Sequence, residues 1–226
     1  MSIRVRFAPS PTGPLHIGGV RTALYNYLFA KKHNGVFVLR VEDTDQNRFV
    51  DGAEAYITKT LDWLGIRPDE SPNSPGAFGP YRQSERKAGY LSHAQLLVKT
   101  GNAYLAFDSS DELLKLREAA EQKGRRFLYN WENRRGLKNS LSLSEREVNA
   151  LVKNKTPYVI RFKSFSNGDE KSLAVNDKIR GDVVFDISLL DDKIIVKQDG
   201  MPTYHLANVV DCLLYTSPSP RDLQGS

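Results

Sequence analysis

The chain has 226 residues, of which 40% are hydrophobic and 26% are charged. This length and composition indicate one large folded domain, or a domain that carries a sizeable insertion, and argue against a disordered chain. The net charge of +5 at pH 7 suits an anionic partner, although many basic proteins bind none.

The features that direct a protein to a compartment point to the cytoplasm. No apolar run approaches the roughly 20 residues that a transmembrane helix needs, and residues 1–10 lack the layout of a signal peptide. The one cysteine, Cys212, leaves no partner for an internal disulfide and excludes a zinc site built from several cysteines. We therefore expect a cytoplasmic protein.

Residues 3–65 predict the opening of a parallel α/β sheet. Residues 3–7 alternate apolar and basic side chains, as a short strand does, and residues 35–43 form a more continuous apolar strand. Helices are predicted over 16–33 and 51–65, which gives the order of a right-handed βαβ unit. The apolar stripe predicted for the first helix consists of Ile17, Val20, Leu24 and Leu28.

The sequence changes in character after a further predicted helix at 81–101. Two more helices are predicted from capping boxes, which pair Ser109 with Glu112 and Ser144 with Glu147. Strands are predicted at 156–162, 182–187 and 193–198. Residues from 102 to about 195 therefore form a separate α+β piece, which is either a second domain or an insertion.

The stretch "FAPSPTGPLHIGGVRTALYNYLF", residues 7–29, places a stiff proline-rich turn directly before a helix. In parallel α/β sheets, ligands bind beyond the C-terminal strand ends, where a helix N-terminus offers unpaired N–H groups to a phosphate. Gly18 and Gly19 leave room for a nucleotide to approach the backbone, and His16 can hydrogen-bond phosphate oxygens. The standard nucleotide-binding motifs are absent, and an ordinary proline-rich loop before a helix is the alternative.

Three long blocks stand in order along the chain: "FAPSPTGPLHIGGVRTALYNYLFA" (7–30), "RVEDTDQNRFV" (40–50) and "MPTYHLANVVD" (201–211). They resemble the signatures of the class I aminoacyl-tRNA synthetases, and specifically of the glutamyl branch. Three blocks with this order and spacing are far more specific than one short motif. Gly19 stands where the first signature is named for a final histidine, a change that this branch commonly tolerates.

The resemblance implies a fold and a division of the chain. The expected fold is α/β, a Rossmann-like doubly wound parallel sheet that is incomplete here, with an inserted α+β module that binds the tRNA acceptor stem. Residues 1–101 would form the first part of the catalytic domain, 102–195 the inserted module and 196–211 the return to the catalytic domain. Residues 212–226 show no family pattern and are interpreted as a foreign or frame-shifted tail.

The resemblance also implies a reaction. Such enzymes join L-glutamate to ATP, which acts with Mg²⁺, and pass the glutamyl group to the 3′ end of tRNA(Glu). They act mainly by positioning reactants and stabilising charge on the α-phosphate, and His16 is the implied catalytic residue. The implied ATP-binding residues are Pro11, Thr12, Gly13, His16, Gly18 and Gly19. The implied glutamate-binding residues are Arg6, Ala8, Ser10, Glu42, Tyr204 and Asn208.

Each glutamate-binding assignment has a structural alternative. Arg6 would pair with the side-chain carboxylate of glutamate, but it could be a surface charge at a strand end. Glu42 would bind the ammonium group, but together with Asp43 and Asp45 it could cap the next helix. Tyr204 could belong to the core.

Residues 115–138 hold eight basic and three acidic side chains, a net charge of +5. By resemblance, this region grips the tRNA acceptor stem through salt-dependent contacts to phosphate, although a solvated helical face is the alternative. The implied tRNA-binding residues are Arg48, Arg125, Arg126, Arg134 and Arg135, of which Arg48 could instead hold the acidic turn before it. Related enzymes often carry a zinc site here, but no cysteine precedes Cys212, so we predict no zinc and no other bound metal.

The sequence departs from the family pattern after Asp211. A second acid, a segment with a further glutamate-binding arginine, an ATP-clamping loop and an anticodon-binding domain would be expected and do not follow. We therefore expect the chain as written to form little glutamyl-adenylate. Its sequence gives no sign of an oligomer, and we expect a monomer.

Other functions stay open at this point. A shorter paralogue that attaches glutamate to queuosine in tRNA(Asp) also lacks an anticodon domain, but it usually has a cysteine cluster. A glutaminyl enzyme and a non-catalytic RNA-binding module with the same fold are further alternatives. The presence of Arg6, His16 and Glu42 together favours an enzyme.

Overall fold

The computed structural model describes residues 3–45, 48–164, 172–177 and 179–215. This described part divides into two compact units, the first running to residue 90 and resuming at residue 206, and the second lying between them, from 91 to 205. The second unit therefore begins before residue 102 and ends after residue 195, the two bounds expected from the sequence.

The first unit opens with the βαβ unit that the sequence predicts. Strand β1 (Arg4–Phe7) is followed by helix α1 (Ile17–Lys32), strand β2 (Val36–Leu39) and helix α2 (Ala53–Trp63). The two strands pair in parallel, with Arg4 opposite Val36 and Phe7 opposite Leu39. The predicted parallel α/β architecture is confirmed at this level, and both strands end at the same edge of the sheet.

The face that α1 buries differs from the predicted stripe. Ala23 and Ala30 are fully buried against the core, whereas Ile17 is 82% exposed and Leu28 54% exposed. The small side chains let the helix backbone approach the sheet closely, and Tyr27 and Phe29 of α1 pack against the same core beside them. The core beneath it is formed by Val5, Phe7, Phe37, Leu39, Ile57, Leu61 and Ile66.

The second unit is α+β, as the sequence predicts. Strands β3 (Ala103–Ala106), β4 (Val159–Phe162) and β7 (Ile194–Val196) form an antiparallel sheet in that order, and β5 (Ser172–Asp177) pairs with β6 (Gly181–Asp186) in a separate hairpin. Both predicted capping boxes are present, at Ser109 with Glu112 and at Ser144 with Glu147. The capped helices are α4 (Ser110–Glu121) and α5 (Glu145–Lys153).

Two helices lie where the chain passes from one unit to the other. Helix α3 (Lys87–Lys99) begins after a 3₁₀ turn at Gln83–Arg86, so it starts later than the predicted residue 81. Helix α6 (Tyr204–Tyr215) includes residues 212–215, which the sequence pattern assigned to the tail. The remainder of that tail, 216–226, lies outside the described residues. Within the described part of the chain, no helix combines the length and the apolar character needed to cross a bilayer.

Candidate functional site

A cavity of about 470 Å³ lies at the N-terminus of α1, beyond the end of β1. The loop between the two elements forms most of its wall, and α2 closes it on one side with Ile57. This is the edge at which parallel α/β sheets bind ligands, since the strand ends and the helix N-terminus meet there. The cavity is lined by Phe7, Pro9, Ser10, Thr12, Gly13, Pro14, Leu15, His16, Gly19 and Ile57.

His16 caps the helix that follows it. Its Nδ1 accepts a hydrogen bond of 3.1 Å from the backbone N–H of Gly18, and its own backbone is extended. Because Nδ1 acts as the acceptor, the neutral imidazole carries its proton on Nε2. The cap therefore fixes the tautomer, and Nε2 is the ring atom that can donate to an anion.

Gly18 and Gly19 make room for their neighbours within the loop. A Cβ on Gly18 would lie 2.9 Å from His16 Cε1 and 3.0 Å from Nδ1, so only glycine lets the ring fold over the helix tip. A Cβ on Gly19 would lie 2.6 Å from Leu15 Cδ1. Both glycines thus serve the shape of the turn itself, a reason that the sequence did not reveal.

The residues predicted to bind ATP take different positions in this loop. Thr12, Gly13, His16 and Gly19 line the cavity, whereas Pro11 is buried and its carbonyl accepts from the backbone N–H of Val50 at 3.1 Å. Pro11 therefore ties the loop to the segment before α2.

Arg6 and Asn208, two predicted glutamate-binding residues far apart in sequence, are brought together. Arg6 leaves β1 half-buried, and its Nη2 donates to Asn208 Oδ1 at 3.2 Å and to Cys212 Sγ at 3.0 Å. Both acceptors lie on α6, which positions them one turn apart. Helix α6 thus contacts the guanidinium at two positions.

Glu42 lies directly beside the same loop. Its backbone N–H donates to Pro9 O at 2.9 Å, and its Oε1 accepts from Arg40 Nη2 at 2.8 Å. The carboxylate is 14% exposed, while the Arg40 side chain is fully buried. Glu42 therefore offers a negative charge near the loop while its orientation is fixed from within the protein.

The remaining predicted glutamate-binding residues are Ala8, Ser10 and Tyr204, of which the last two are more exposed than Glu42. Ala8 is half-buried and Ser10 exposed in the loop after β1, and Ser10 lines the cavity. Tyr204 begins α6, one turn before Asn208, and is 62% exposed. That exposure argues against the alternative that Tyr204 belongs to the core.

Sequence reasoning missed a buried polar cluster behind Glu42. The carboxylate of Asp211 is fully buried, and it accepts from Gln83 Nε2 at 2.8 Å and from the Tyr90 hydroxyl at 3.0 Å. Arg40 and Arg86 approach it to 3.3 Å and 3.0 Å. Burial and the Asp211 charge raise the pKa of Tyr90. The only signal in the sequence was that Arg40 and Asp211 fall inside the family blocks.

The acidic turn after β2 does not cap the next helix, because the N-cap of α2 is Gly52 and no side chain makes a capping bond there. Asp43 accepts from the backbone N–H of Ser84 at 2.8 Å and from its hydroxyl at 2.6 Å. Arg48 Nε contacts Asp45 Oδ2 at 2.6 Å while its side chain is 72% exposed. Arg48 thus holds this turn together at the surface.

The predicted tRNA-binding arginines of the second unit divide into two groups. Arg125, Arg126 and Arg135 are exposed. Arg134 is 4% exposed and its Nη1 contacts Asp192 Oδ2 at 3.0 Å. This burial contradicts a surface role for Arg134, because its guanidinium is used to neutralise a carboxylate inside the unit.

A cavity of about 500 Å³ lies within the second unit beside these exposed arginines. Arg117, Arg125 and Arg126 line it, together with Arg161, whose guanidinium carbon lies 3.9 Å from the ring centre of Tyr129. Two acids, Glu121 and Asp191, also contribute to the lining, so the cavity has an excess of positive charge.

Three features together define a class I synthetase catalytic domain. They are the parallel βαβ unit, the loop in which His16 caps α1, and the contact between Arg6 and Asn208. The family model for the catalytic domain of class I tRNA synthetases (E and Q) matches residues 2–216, and the chain belongs to this family. The resemblance drawn from the three sequence blocks is confirmed.

The individual relatives are more specific. The chain is 63% identical over 209 residues to the glutamate–tRNA ligase of Christiangramia forsetii, an alignment that covers 92% of this chain and 41% of that protein. The glutamate–tRNA ligase of Flavobacterium psychrophilum is 60% identical over the same length, with the same shares covered. The chain thus spans about two fifths of the length of these relatives.

Solved structures agree with this likeness. A glutamate–tRNA ligase from Elizabethkingia meningosepticum, crystallised with its amino acid, superposes with a TM-score of 0.88 at 53% identity, covering 96% of this chain and 42% of that one. A glutamate–tRNA synthetase from Elizabethkingia anophelis gives a TM-score of 0.87 at the same identity, covering 96% of this chain and 43% of that one.

Proposed function

We propose that this chain is the N-terminal catalytic part of a glutamate–tRNA ligase, which activates L-glutamate with ATP and transfers it to tRNA(Glu). The observation that carries the proposal is the pairing of Arg6 with Asn208, together with Glu42 bound to the loop that forms the cavity at the tip of α1. The relatives at 63% and 60% identity support the same reaction.

Recognition of glutamate would use two opposite charges. Arg6 would bind the side-chain carboxylate of the substrate through charge-assisted hydrogen bonds, with Asn208 holding the guanidinium in place. Glu42 would bind the ammonium group, and Ala8, Ser10 and Tyr204 would complete the walls. Glutamine lacks the side-chain charge that Arg6 recognises, so this arrangement selects the acid over its amide.

ATP would lie along the loop at the tip of α1. Thr12, Gly13 and Gly19 would contact the nucleotide, and Gly18 would serve by holding the His16 ring in its cap. In the first step, an α-carboxylate oxygen of glutamate attacks the α-phosphorus and pyrophosphate leaves. His16 Nε2–H would donate to the phosphate oxygens as negative charge accumulates there, supported by the positive end of the helix dipole.

In the second step, a hydroxyl of the 3′-terminal ribose of tRNA attacks the activated carbonyl carbon, and AMP leaves. Arg125, Arg126 and Arg135 would contact tRNA phosphates. Arg48 would do so only after breaking its ion pair with Asp45. Mg²⁺ would enter as the counterion of ATP, no zinc would be required, and the reaction would take place in the cytoplasm.

Calorimetric titration of the purified chain with L-glutamate and L-glutamine tests this proposal. We expect L-glutamate to bind and L-glutamine to bind at least about tenfold more weakly, because a charge-assisted hydrogen bond is worth roughly 1.5–3 kcal/mol. Arg6→Met should reduce the affinity for L-glutamate by a similar factor. The control Arg67→Met, at a side chain that is 78% exposed, should leave it unchanged. Equal affinity for the acid and the amide would contradict the proposal.

A further inference from the structure

The buried carboxylate of Asp211 connects to the proposed glutamate site through one side chain. Arg40 contacts Asp211 Oδ2 with Nη1 at 3.3 Å and Glu42 Oε1 with Nη2 at 2.8 Å. Its guanidinium therefore bridges a carboxylate that solvent does not reach and one that is 14% exposed. A planar, forked group is suited to hold two carboxylates in a fixed relative orientation.

The hydrogen bonds around Asp211 hold it rigidly. Gln83 and Tyr90 donate to it from the segment that leads into and begins α3, and Arg86 contacts its other oxygen at 3.0 Å. A buried carboxylate is stable only when paired and hydrogen-bonded in this way. Asp211 thus has little freedom to move, and neither has the arginine that it holds.

Asp211 and Asn208 lie on the same helix, three residues apart. Asn208 contacts Arg6, the residue proposed to bind the substrate carboxylate, and Asp211 contacts Arg40, which holds Glu42. Helix α6 therefore reaches both charged arms of the proposed site. Its connection to Glu42, the residue proposed to bind the substrate ammonium group, is indirect and runs through the guanidinium of Arg40.

We propose that Asp211 is a positioning residue for amino-acid recognition, acting through Arg40 to fix the carboxylate of Glu42. This inference rests on the proposed function. Arg40 occupies Oε1 of Glu42, so the second carboxylate oxygen is the one presented to the ammonium group of the substrate. When the charge of Asp211 is removed, Arg40 no longer shares its charge between two carboxylates, and it draws Glu42 inward, away from the substrate.

The substitution Asp211→Asn tests this role because it keeps the size of the side chain and removes its charge. We expect the affinity for L-glutamate to fall roughly tenfold, in the range found for residues that act through a network, and the affinity for ATP to stay within twofold. If the role of Asp211 were merely structural, the affinities for L-glutamate and for ATP would fall together. Unchanged glutamate affinity would overturn the inference.

A matched control is available in the second unit. Asp192 is also fully buried, and it accepts from the Tyr104 hydroxyl at 2.7 Å and contacts Arg134 at 3.0 Å. Asp192→Asn should therefore lower the melting temperature as Asp211→Asn does but leave glutamate affinity unchanged. An equal loss of glutamate affinity in both variants would show a general effect of destabilisation and would overturn the inference.

A double-mutant cycle with Glu42→Gln identifies the path. If Asp211 acts through Glu42, Asp211→Asn should weaken glutamate binding much less in the Glu42→Gln background than in the wild type. Additive losses would overturn this path. Should Asp211→Asn fail to fold, Arg40→Lys keeps the charge but loses the fork, and it should show the same selective loss of glutamate affinity.

Two different results would contradict the proposed function and the role of Asp211. A wild-type chain that binds no L-glutamate would contradict the proposed function and this inference with it. A wild-type chain that binds L-glutamate, with an Asp211→Asn variant that binds it equally well, would contradict the inference alone.

Discussion

The two ring nitrogens of His16 have different roles: Nδ1 caps helix α1, and Nε2 is available to a ligand. Histidine is not among the residues that commonly cap helices, so the sequence indicated a phosphate ligand and gave no sign of the cap. The bond from the Gly18 N–H to Nδ1 makes the two roles compatible, because it places the imidazole proton on Nε2. A residue predicted to be catalytic is thus also structural.

Gly18→Ala separates these two roles. The new methyl group would lie 2.9 Å from His16 Cε1, so the ring must leave its capping position. The cap is worth about 1 kcal/mol, and alanine improves helix propensity by about 1 kcal/mol. We therefore expect little change in the free energy of unfolding but a several-fold loss of ATP affinity, measured by titration calorimetry.

Gly89→Ala is the control for this substitution. Apart from its chain neighbours and the backbone of its own helix, no atom lies within 4 Å of the position that its Cβ would take, and the residue is within α3. It should stabilise the chain by about 1 kcal/mol and leave ATP affinity unchanged. Normal ATP affinity in the Gly18→Ala variant would contradict the role assigned to the His16 ring.

At the scale of helices and strands, the elements that local sequence determines were predicted well. The alternation in β1, the apolar run in β2 and the two capping boxes each depend on residues within a few positions of one another. The buried face of α1 was not predicted. Apolar spacing favoured Ile17, Leu24 and Leu28, whereas the helix packs on the core through Ala23 and Ala30, with Tyr27 and Phe29 beside them.

The capping boxes are a direct test at this scale. Ser109→Ala and Ser144→Ala each remove the side-chain oxygen that accepts from the backbone N–H three residues later. We expect each to lower the free energy of unfolding by about 1 kcal/mol in chemical denaturation. Ser110→Ala, one position inside α4, should change it by only a few tenths of a kcal/mol. Equal effects at Ser109 and Ser110 would contradict the assignment of the cap.

The contact between β1 and the segment that follows α2 makes stability depend on pH. Hydrogen bonds from Arg4 and Tyr81 lower the pKa of Glu70 below its ordinary value. A carboxyl group with a lowered folded-state pKa stabilises the fold above its unfolded pKa of about 4.3, and this contribution is lost as pH falls through the folded value.

We therefore expect the wild type to lose more stability than Glu70→Gln when denaturation is repeated between about pH 6 and pH 3. The difference in unfolding free energy between the two proteins should stay constant above about pH 5 and shrink below about pH 4. A difference that does not change with pH would show that the charge of Glu70 contributes nothing.

At the scale of the whole molecule, the excess positive charge is concentrated in part at the exposed arginines of the second unit. If Arg125 and Arg126 contact tRNA phosphates, Arg125→Ala with Arg126→Ala should weaken tRNA binding. The slope of log K against log salt should also become shallower by about 0.7–0.9 for each phosphate that is no longer neutralised. Filter binding between about 50 and 200 mM salt measures this.

The control pair Lys59→Ala and Arg67→Ala removes the same charge from exposed positions in the first unit. It should have a smaller effect on affinity and leave the slope unchanged. Identical slopes for the two pairs would mean that net charge alone, rather than a surface near Arg125, attracts tRNA.

Long-range contacts explain what the sequence could not provide. Arg6 and Asn208 could be assigned to one site only through the family resemblance, since 202 positions separate them. The cluster around Asp211 joins residues from the end of β2, the start of α3 and α6, and no local pattern indicates that they meet. The burial of Arg134 was missed for the same reason, because its partner Asp192 lies 58 positions away.

The most direct test of the account is a crystal structure of the chain with glutamyl-sulfamoyl-adenosine, a stable mimic of glutamyl-adenylate. We expect its side-chain carboxylate to contact Arg6, its ammonium group to contact Glu42 and its sulfamoyl group to lie within hydrogen-bonding distance of His16 Nε2. A mimic bound with its carboxylate away from Arg6, or with its sulfamoyl group away from the tip of α1, would contradict the account.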